Sequence, residues 1–174
     1  MSKKQYIKQF EDFLTRQEFE NNESLAIDDE KDKQKWVAEI DDFYEIIQGF
    51  IHEYLKQGKI RQEWQKIQLQ EDFFGEYEVK QLMLKIGKKR LIFKPIGRFV
   101  VGCRGRIDLF SDLGSIRFLL VPQHFDKPQD YFLGELLNPN IKWTWKIATP
   151  PPSTQYLEIT GENFFNALME IVDG

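Results

Sequence analysis

The chain has little of the chemistry on which most active sites depend. It contains one cysteine, Cys103, and two histidines, His52 and His124. A single cysteine excludes an intramolecular disulfide and any multi-cysteine zinc or iron–sulfur site, and two histidines exclude a histidine-rich metal site. A Cys-His or Ser-His-Asp site needs a histidine beside a nucleophile, and nothing in the local sequence places one there. We therefore predict no cofactor, no metal and no enzymatic activity.

Long apolar segments are also missing. No run approaches the roughly 18 residues that span a bilayer, and the beginning of the chain, MSKKQYIKQFEDF, lacks the apolar core of a secretory signal. These features predict a cytoplasmic protein without a membrane partner. The 174 residues fit a single domain, and 15 phenylalanines and four tryptophans supply a core.

Charge is distributed unevenly along the chain. The net charge is −4, but residues 76–118 carry 10 Lys/Arg against four Asp/Glu, whereas the two flanking segments are acidic. One interpretation is that the basic segment packs beside acidic helices of the same chain. The other is a basic face for an acidic or phosphate-bearing partner.

Residues 1–57 have helical periodicity. A first apolar stripe comprises Tyr6, Ile7, Phe10, Phe13 and Leu14. The polar stretch 18–32 reads as a connection, and Asp32 as the N-cap of the next helix. That helix carries Trp36, Ile40, Phe43, Ile47, Phe50 and Tyr54 at alternating four- and three-residue spacings. Its broad stripe predicts a core helix; the alternative is a homodimer through the Trp36–Tyr54 helix.

After Gly58, which we expect to end this helix, residues 58–75 are predicted to form a short bridge. Residues 76–160 then alternate with a period of two between turn signals, which predicts successive hairpins, with one strand at 99–101. Residues 161–174 form a C-terminal helix capped by Thr160. The chain is thus predicted to be an α+β domain: two N-terminal helices, a mostly antiparallel sheet of six to seven strands, and a C-terminal helix packed on it.

The basic segment supplies the candidate binding residues, which are Arg98, Arg104, Arg106 and Arg117. They alternate with Phe93, Phe99, Phe110 and Phe118. Basic residues interleaved with aromatics are typical of single-strand nucleic-acid platforms, but any sheet with one buried aromatic face produces the same pattern. The deciding question is whether the arginines and the aromatics share a face.

Known catalytic patterns are incomplete. Asp108 followed by a hairpin and another strand resembles the first half of a restriction-type nuclease site, which also needs an acidic-x-Lys triplet to hold magnesium. The next strand reads IRFLLVP and contains neither residue type at the required place. The glycines of GRFVVGCRG lack the Gly-Lys-Ser/Thr ending of a phosphate loop.

The composition therefore favours a protein-binding, inhibitor or accessory protein of bacterial type, of which a toxin-neutralising partner is one example. A nucleic-acid-binding module that uses the segment 76–118 is the main alternative, and a metal-dependent nuclease is the least favoured one.

Overall fold

The structure is a computed structural model that describes residues 2–25, 29–98, 102–131 and 138–174. Within these ranges its elements are three helices, α1 (Lys3–Leu25), α2 (Asp29–Lys56) and α3 (Gly161–Asp173), and seven strands, β1 (Ile60–Glu71), β2 (Gly75–Ile86), β3 (Lys89–Gly97), β4 (Gly105–Phe110), β5 (Ser115–Pro122), β6 (Trp143–Ala148) and β7 (Tyr156–Glu158). A short 3-10 turn spans Pro128–Asp130.

The seven strands form one sheet in chain order, and every neighbouring pair is antiparallel. This arrangement confirms the predicted α+β class with a sheet of successive hairpins. Because each strand pairs with the next strand along the chain, no crossover helix is needed between strands. Helix α2 precedes the first strand, and α3 follows the last one.

The α2 helix covers one face of the sheet. Phe43 is fully buried, and its ring centroid lies 5.9 Å from that of Phe93 and 5.0 Å from that of Phe118. Phe164 of α3 completes the same aromatic layer against Phe93. Sheet strands of the same chain therefore bury most of the stripe on α2, and a homodimer through this stripe would have to displace them.

The ends of α2 and α3 follow the local chemistry that the sequence predicts. Gly58 has φ 70°, and the Lys59 N–H donates to the Tyr54 carbonyl at 2.9 Å, which closes the C-terminus of α2. The Thr160 hydroxyl accepts a hydrogen bond from the Asn163 N–H at 3.1 Å and so caps α3.

The predicted bridge at 58–75 is wrong, because most of it is strand β1. This strand pairs with β2 along its whole length, from Ile60 opposite Ile86 to Glu71 opposite Gly75. Only Ile60 and Leu69 of β1 are buried. A largely exposed, polar strand has no alternation of hydrophobicity, so the periodicity that identifies the other strands is absent here.

The predicted connection at 18–32 is also wrong at both ends. Helix α1 continues to Leu25, and α2 begins at Asp29, so Asp32 lies in the first turn of α2 rather than at its N-cap. Its carboxylate instead accepts a hydrogen bond from Arg98 at 2.8 Å. Polar, Glu-rich segments have good helix propensity even without an apolar stripe. The predicted strand at 99–101 lies outside the described residues.

The hairpin of β1 and β2 changes its buried side along its length. Tyr77 and Val79 are buried near the turn, whereas Leu82 and Leu84 are buried near the other end, although the pairing with β1 is unbroken. Only residues 82–86 of β2 also pair with β3. The far end of the hairpin therefore twists away from β3 and reaches the start of α2, where the Trp36 Nε1–H donates to the Tyr77 hydroxyl at 3.0 Å.

Gly105, at the start of β4, gives a first testable prediction. A Cβ at this position would lie 2.7 Å from Cη2 of the fully buried Trp36 and closer still to Cζ3. Because a packed core cannot absorb that overlap without displacing the ring, we expect Gly105→Ala to lower the free energy of unfolding by about 1–3 kcal/mol.

Urea denaturation measures this loss, and Gly49→Ala is the matched control. Gly49 lies in α2, and no atom lies within 4 Å of the point that a Cβ would occupy there, so the same change should stabilise the helix by about 0.5–1 kcal/mol. Equal midpoints for the two variants would contradict the close contact between β4 and Trp36.

Candidate binding face of the sheet

The register of the strands separates the two faces of the sheet. One face lies under α2 and α3 and carries buried apolar side chains such as Leu91, Ile107 and Ile147. The other face, called the open face below, carries the residues that alternate with them. Its described residues on β1 to β5 include Arg61, Glu63, Gln65, Gln81, Met83, Lys85, Arg90, Ile92, Lys94, Arg106, Asp108, Phe110, Ser115 and Arg117.

Cross-strand pairing arranges the open face in three rows. Arg61, Lys85 and Arg90 are direct neighbours across β1, β2 and β3 and form a basic row. All three are exposed. Since side chains on one face of a strand repeat at about 7 Å and strands lie about 4.8 Å apart, these three cations are held close together by the backbone.

The next row on the open face is apolar. Met83 opposes Ile92, and Ile92 opposes Phe110, so the row crosses β2, β3 and β4. Met83 and Ile92 are half-buried, and Phe110 is 40% exposed. Glu63 pairs with Met83 at one end of the row and Ser115 with Phe110 at the other.

The third row is mixed in charge. Lys94 of β3 opposes Asp108 of β4, which in turn opposes Arg117 of β5. Arg106 binds Asp108 from the same strand with two hydrogen bonds, Nε–Oδ1 at 2.8 Å and Nη2–Oδ2 at 2.6 Å. Both oxygens of Asp108 therefore bind Arg106. Hydrogen bonding to this carboxylate raises the pKa of Arg106.

A small second core limits the open face at the β5–β6 end. It comprises Leu119, Val121, Phe125, Ala148 and Tyr156. Beside it, the buried ammonium of Lys146 donates to the backbone carbonyls of Gln123 and Phe125 at 2.8 and 2.6 Å. The segment after β5 therefore covers this end, and the exposed part of the face lies on β1 to β4 and the start of β5.

Arg98, the first predicted binding residue, lies on the other side of the sheet. It is 5% exposed. Its guanidinium donates to Asp32 at 2.8 Å, to the Arg104 carbonyl at 3.0 Å and, through a short contact, to Glu39. Its backbone N–H donates to Glu71 at 2.8 Å. Arg98 thus joins α2, β1 and the segment before β4, which is a structural role.

Arg104 also lies away from the open face. Its guanidinium carbon is 5.1 Å from the centre of the Trp143 ring, a cation–π distance, and its Nε is 3.9 Å from Glu39. The four predicted arginines therefore separate into two pairs. Arg106 and Arg117 share the open face, whereas Arg98 and Arg104 neutralise acidic residues of α2.

The aromatic residues separate in the same way. Phe93 and Phe118 are fully buried beneath the helices, and Phe110 shares the open face with Arg106 and Arg117. Phe99 lies outside the described residues. One of the described phenylalanines that alternate with the arginines, Phe110, therefore shares a face with two of them.

Most of the exposed positive charge on the open face comes from Arg61, Lys85, Arg90 and Lys94, which are not among the predicted binding residues. A signal for three of them was present, because Lys85 also alternates with Leu82 and Leu84 in β2. Arg90, Ile92 and Lys94 alternate with Leu91 and Phe93 in the strand RLIFK, so the basic residues had to point away from the core. Arg61 had no such signal, because β1 is largely exposed and its sequence lacks the alternation of hydrophobic residues that identifies a strand.

Cys103 is partly buried and has little thiolate character at neutral pH. Burial raises its pKa to about 11, although the nearby Arg106, Arg98 and Arg117 oppose this shift. Since the thiolate is the reactive form of cysteine, Cys103 is a poor nucleophile under ordinary conditions.

The pH dependence of Cys103 gives a second prediction. Alkylation of the native protein should accelerate with an inflection near pH 11, whereas the urea-unfolded chain should show it near the ordinary pKa of 9. Because the unfolded state loses this proton at a lower pH, the contribution of the neutral Cys103 thiol to the stability of the fold is complete below pH 9. It is lost as the pH rises towards 11. A native inflection near neutral pH would contradict the assignment.

The described part of the chain has neither a metal cluster nor a membrane-spanning helix. No group of three or more His, Cys, Asp or Glu side chains within residues 2–25, 29–98, 102–131 and 138–174 is arranged to hold a metal ion. None of the helices in those ranges is long and apolar enough to cross a membrane. Comparison with known protein families, curated proteins and solved structures found no match.

Proposed function

We propose that the protein is a non-enzymatic inhibitor or accessory protein of the cytoplasm that binds an acidic surface of a partner protein through the open face. The observation that carries the proposal is the placement of the apolar row, Met83, Ile92 and Phe110, beside the basic row of Arg61, Lys85 and Arg90.

This arrangement matches the anatomy of protein interfaces. Such interfaces combine an apolar centre, often containing an aromatic residue, with a polar and charged rim, and arginine is enriched in them. The surrounding cations favour a partner that presents carboxylates, because complementary charge accelerates encounter and fixes orientation. Glu63, at the end of the apolar row, is a place where the partner can present a cation in return.

The third prediction concerns capture of the partner from lysate of the native host. Lys85→Glu combined with Lys94→Glu reverses two charges on the open face, and we expect capture to fall at least tenfold, since like-charge juxtaposition costs several kcal/mol. Both side chains are exposed, so the fold should be retained, with a small loss of stability because Lys94 opposes Asp108.

Lys56→Glu combined with Lys66→Glu is the matched control. It makes the same change in net charge at two exposed lysines whose ion pairs with Glu53 and Glu78 are 3.8 and 3.5 Å long, and exposed pairs of this kind contribute little. Equal loss of capture by both double variants would show that net charge, rather than the open face, determines binding.

A single-stranded nucleic acid is the second candidate ligand of the same face. The exposure of Phe110 beside Arg106 and Arg117 favours it, since bases stack on aromatics next to cations. Against it, Phe110 is the one strongly exposed aromatic among the described open-face residues, and the exposed Glu63 would face the phosphates.

A fluorescence titration with single-stranded and duplex oligonucleotides separates the two candidates. We expect no binding even at about 50 mM salt, where charge screening is weak. Salt-sensitive binding that disappears in Phe110→Ala and in Arg106→Glu with Arg117→Glu would favour the nucleic acid over the protein partner.

A further inference from the structure

Helix α1 presents its apolar stripe to solvent. Tyr6, Ile7, Phe10, Phe13 and Leu14 are between 40% and 58% exposed. The rings of Phe10 and Phe13 stack on each other with centroids 6.0 Å apart. A contiguous apolar patch of this kind on a folded chain indicates an interaction surface.

The opposite side of α1 is the side that faces the rest of the chain. Asp12 and Thr15 are half-buried, and at about 100° per residue they lie about 200° and 140° around the helix from Phe10. The same edge of α1 lies near Tyr131. Burial raises the pKa of Tyr131, while the charge of Arg16 acts to lower this pKa and the charge of Asp12 acts to raise it. The polar side of the helix is therefore its less exposed side, and the stripe faces outward.

The stripe has a symmetry of its own. Its other four members lie four and three residues before Phe10 and three and four residues after it. A two-fold axis through Phe10 therefore superimposes the stripe on itself, with Tyr6 opposite Leu14 of a second copy and Ile7 opposite Phe13. Self-complementarity of one patch is what a two-fold interface requires.

The charges of α1 fix the relative direction of the two helices. The first turns carry Lys3, Lys4 and Lys8 without an acidic residue, whereas the sequence from residue 11 to the end of the helix carries five acidic residues and Arg16. This distribution is unfavourable for the dipole of a single helix. An antiparallel second copy centred on Phe10 brings Lys8 opposite Asp12 and Lys4 near Glu18 and opposes the two dipoles, whereas a parallel copy brings the lysines of the two copies together.

We propose that α1 is a self-association helix and that two copies of the chain pair through it, antiparallel and centred on Phe10. Lys3 of one copy then lies opposite Gln17 of the other, and Lys4 lies near Glu18. This interface is independent of the open face and leaves it accessible in both copies.

Sedimentation equilibrium of the full chain tests the pairing. We expect a dimer, and we expect Phe10→Glu to raise the dissociation constant at least about 100-fold, because two carboxylates meet at the axis and like-charge juxtaposition is strongly unfavourable. Met169→Glu is the control, since Met169 is equally exposed on α3 and its replacement should leave the dimer intact. Unchanged thermal melting of Phe10→Glu will show that the variant folds.

Cysteine cross-linking tests the direction. In a Cys103→Ser background, a mixture of Lys3→Cys and Gln17→Cys chains should form the mixed disulfide, while each variant alone stays uncross-linked. Self-cross-linking of each variant would indicate a parallel pair and overturn the proposal. A wild-type chain that stays monomeric at about 100 μM, where a pair with a dissociation constant in the low micromolar range would be mostly dimeric, would also overturn it. If that monomer then bound lipid vesicles through Phe10, the stripe would be a membrane contact instead.

Discussion

Replacing Ile47 by Asp is expected to lower the free energy of unfolding by about 4 kcal/mol or more. Ile47 is fully buried in α2 within the main core. A carboxylate there has neither water nor a hydrogen-bond partner, and burying it costs several kcal/mol. Since domains of this size are stable by only about 5–15 kcal/mol, a loss on the order of 4 kcal/mol or more removes much of that margin.

The neighbouring residue provides the control. Ile46 occupies the adjacent position of α2 but is 38% exposed, so Ile46→Asp should cost less than about 1 kcal/mol, as surface substitutions usually do. Thermal and urea unfolding of the two variants measure the difference. Near-wild-type stability of Ile47→Asp would contradict the packing of α2 on the sheet.

Replacing Arg98 by Met is the second substitution with a large expected effect. The change leaves Glu39 and Asp32 partly buried without the guanidinium that they share. Removing one partner of a buried ion pair typically costs about 3–5 kcal/mol, because the remaining charge is uncompensated. Arg104, 3.9 Å from Glu39, can compensate only in part.

A second substitution tests the cause of that loss. If uncompensated charge destabilises Arg98→Met, then adding Glu39→Gln should recover part of the stability, because it removes one of the two stranded carboxylates. An Arg98→Met variant that melts like the wild type but no longer captures a partner would contradict this structural role. Arg98 would then act in binding, as the sequence predicts, rather than in the fold.

The fold was largely predictable because most elements carry a clear period. The stripe from Trp36 to Tyr54 identified α2, and the alternation in RLIFK and IKWTWKIA identified two strands of the sheet. Strand β1 was not predictable in the same way. Its position in the sheet depends on pairing with β2. Because most of its side chains are exposed, its sequence has no alternation of hydrophobic residues that would identify it as a strand.

The candidate site was predictable only in part, because proximity on a sheet depends on register. The sequence groups four arginines by their closeness along the chain, but Arg98 and Arg104 lie on the segment that approaches α2. Arg61, more than 20 residues before Lys85, becomes its direct neighbour through the β1–β2 pairing. A one-residue shift of that register would move Arg61 to the other face.

Acetylation of lysine side chains, read by mass spectrometry with and without the captured partner, tests the central claim most directly. Lys85 and Lys94 lie on the open face, whereas Lys56 and Lys66 are exposed elsewhere. If the partner covers the open face, acetylation of Lys85 and Lys94 will slow in the complex while that of Lys56 and Lys66 will not. Unchanged acetylation of Lys85 and Lys94 in a saturated complex would contradict binding through this face.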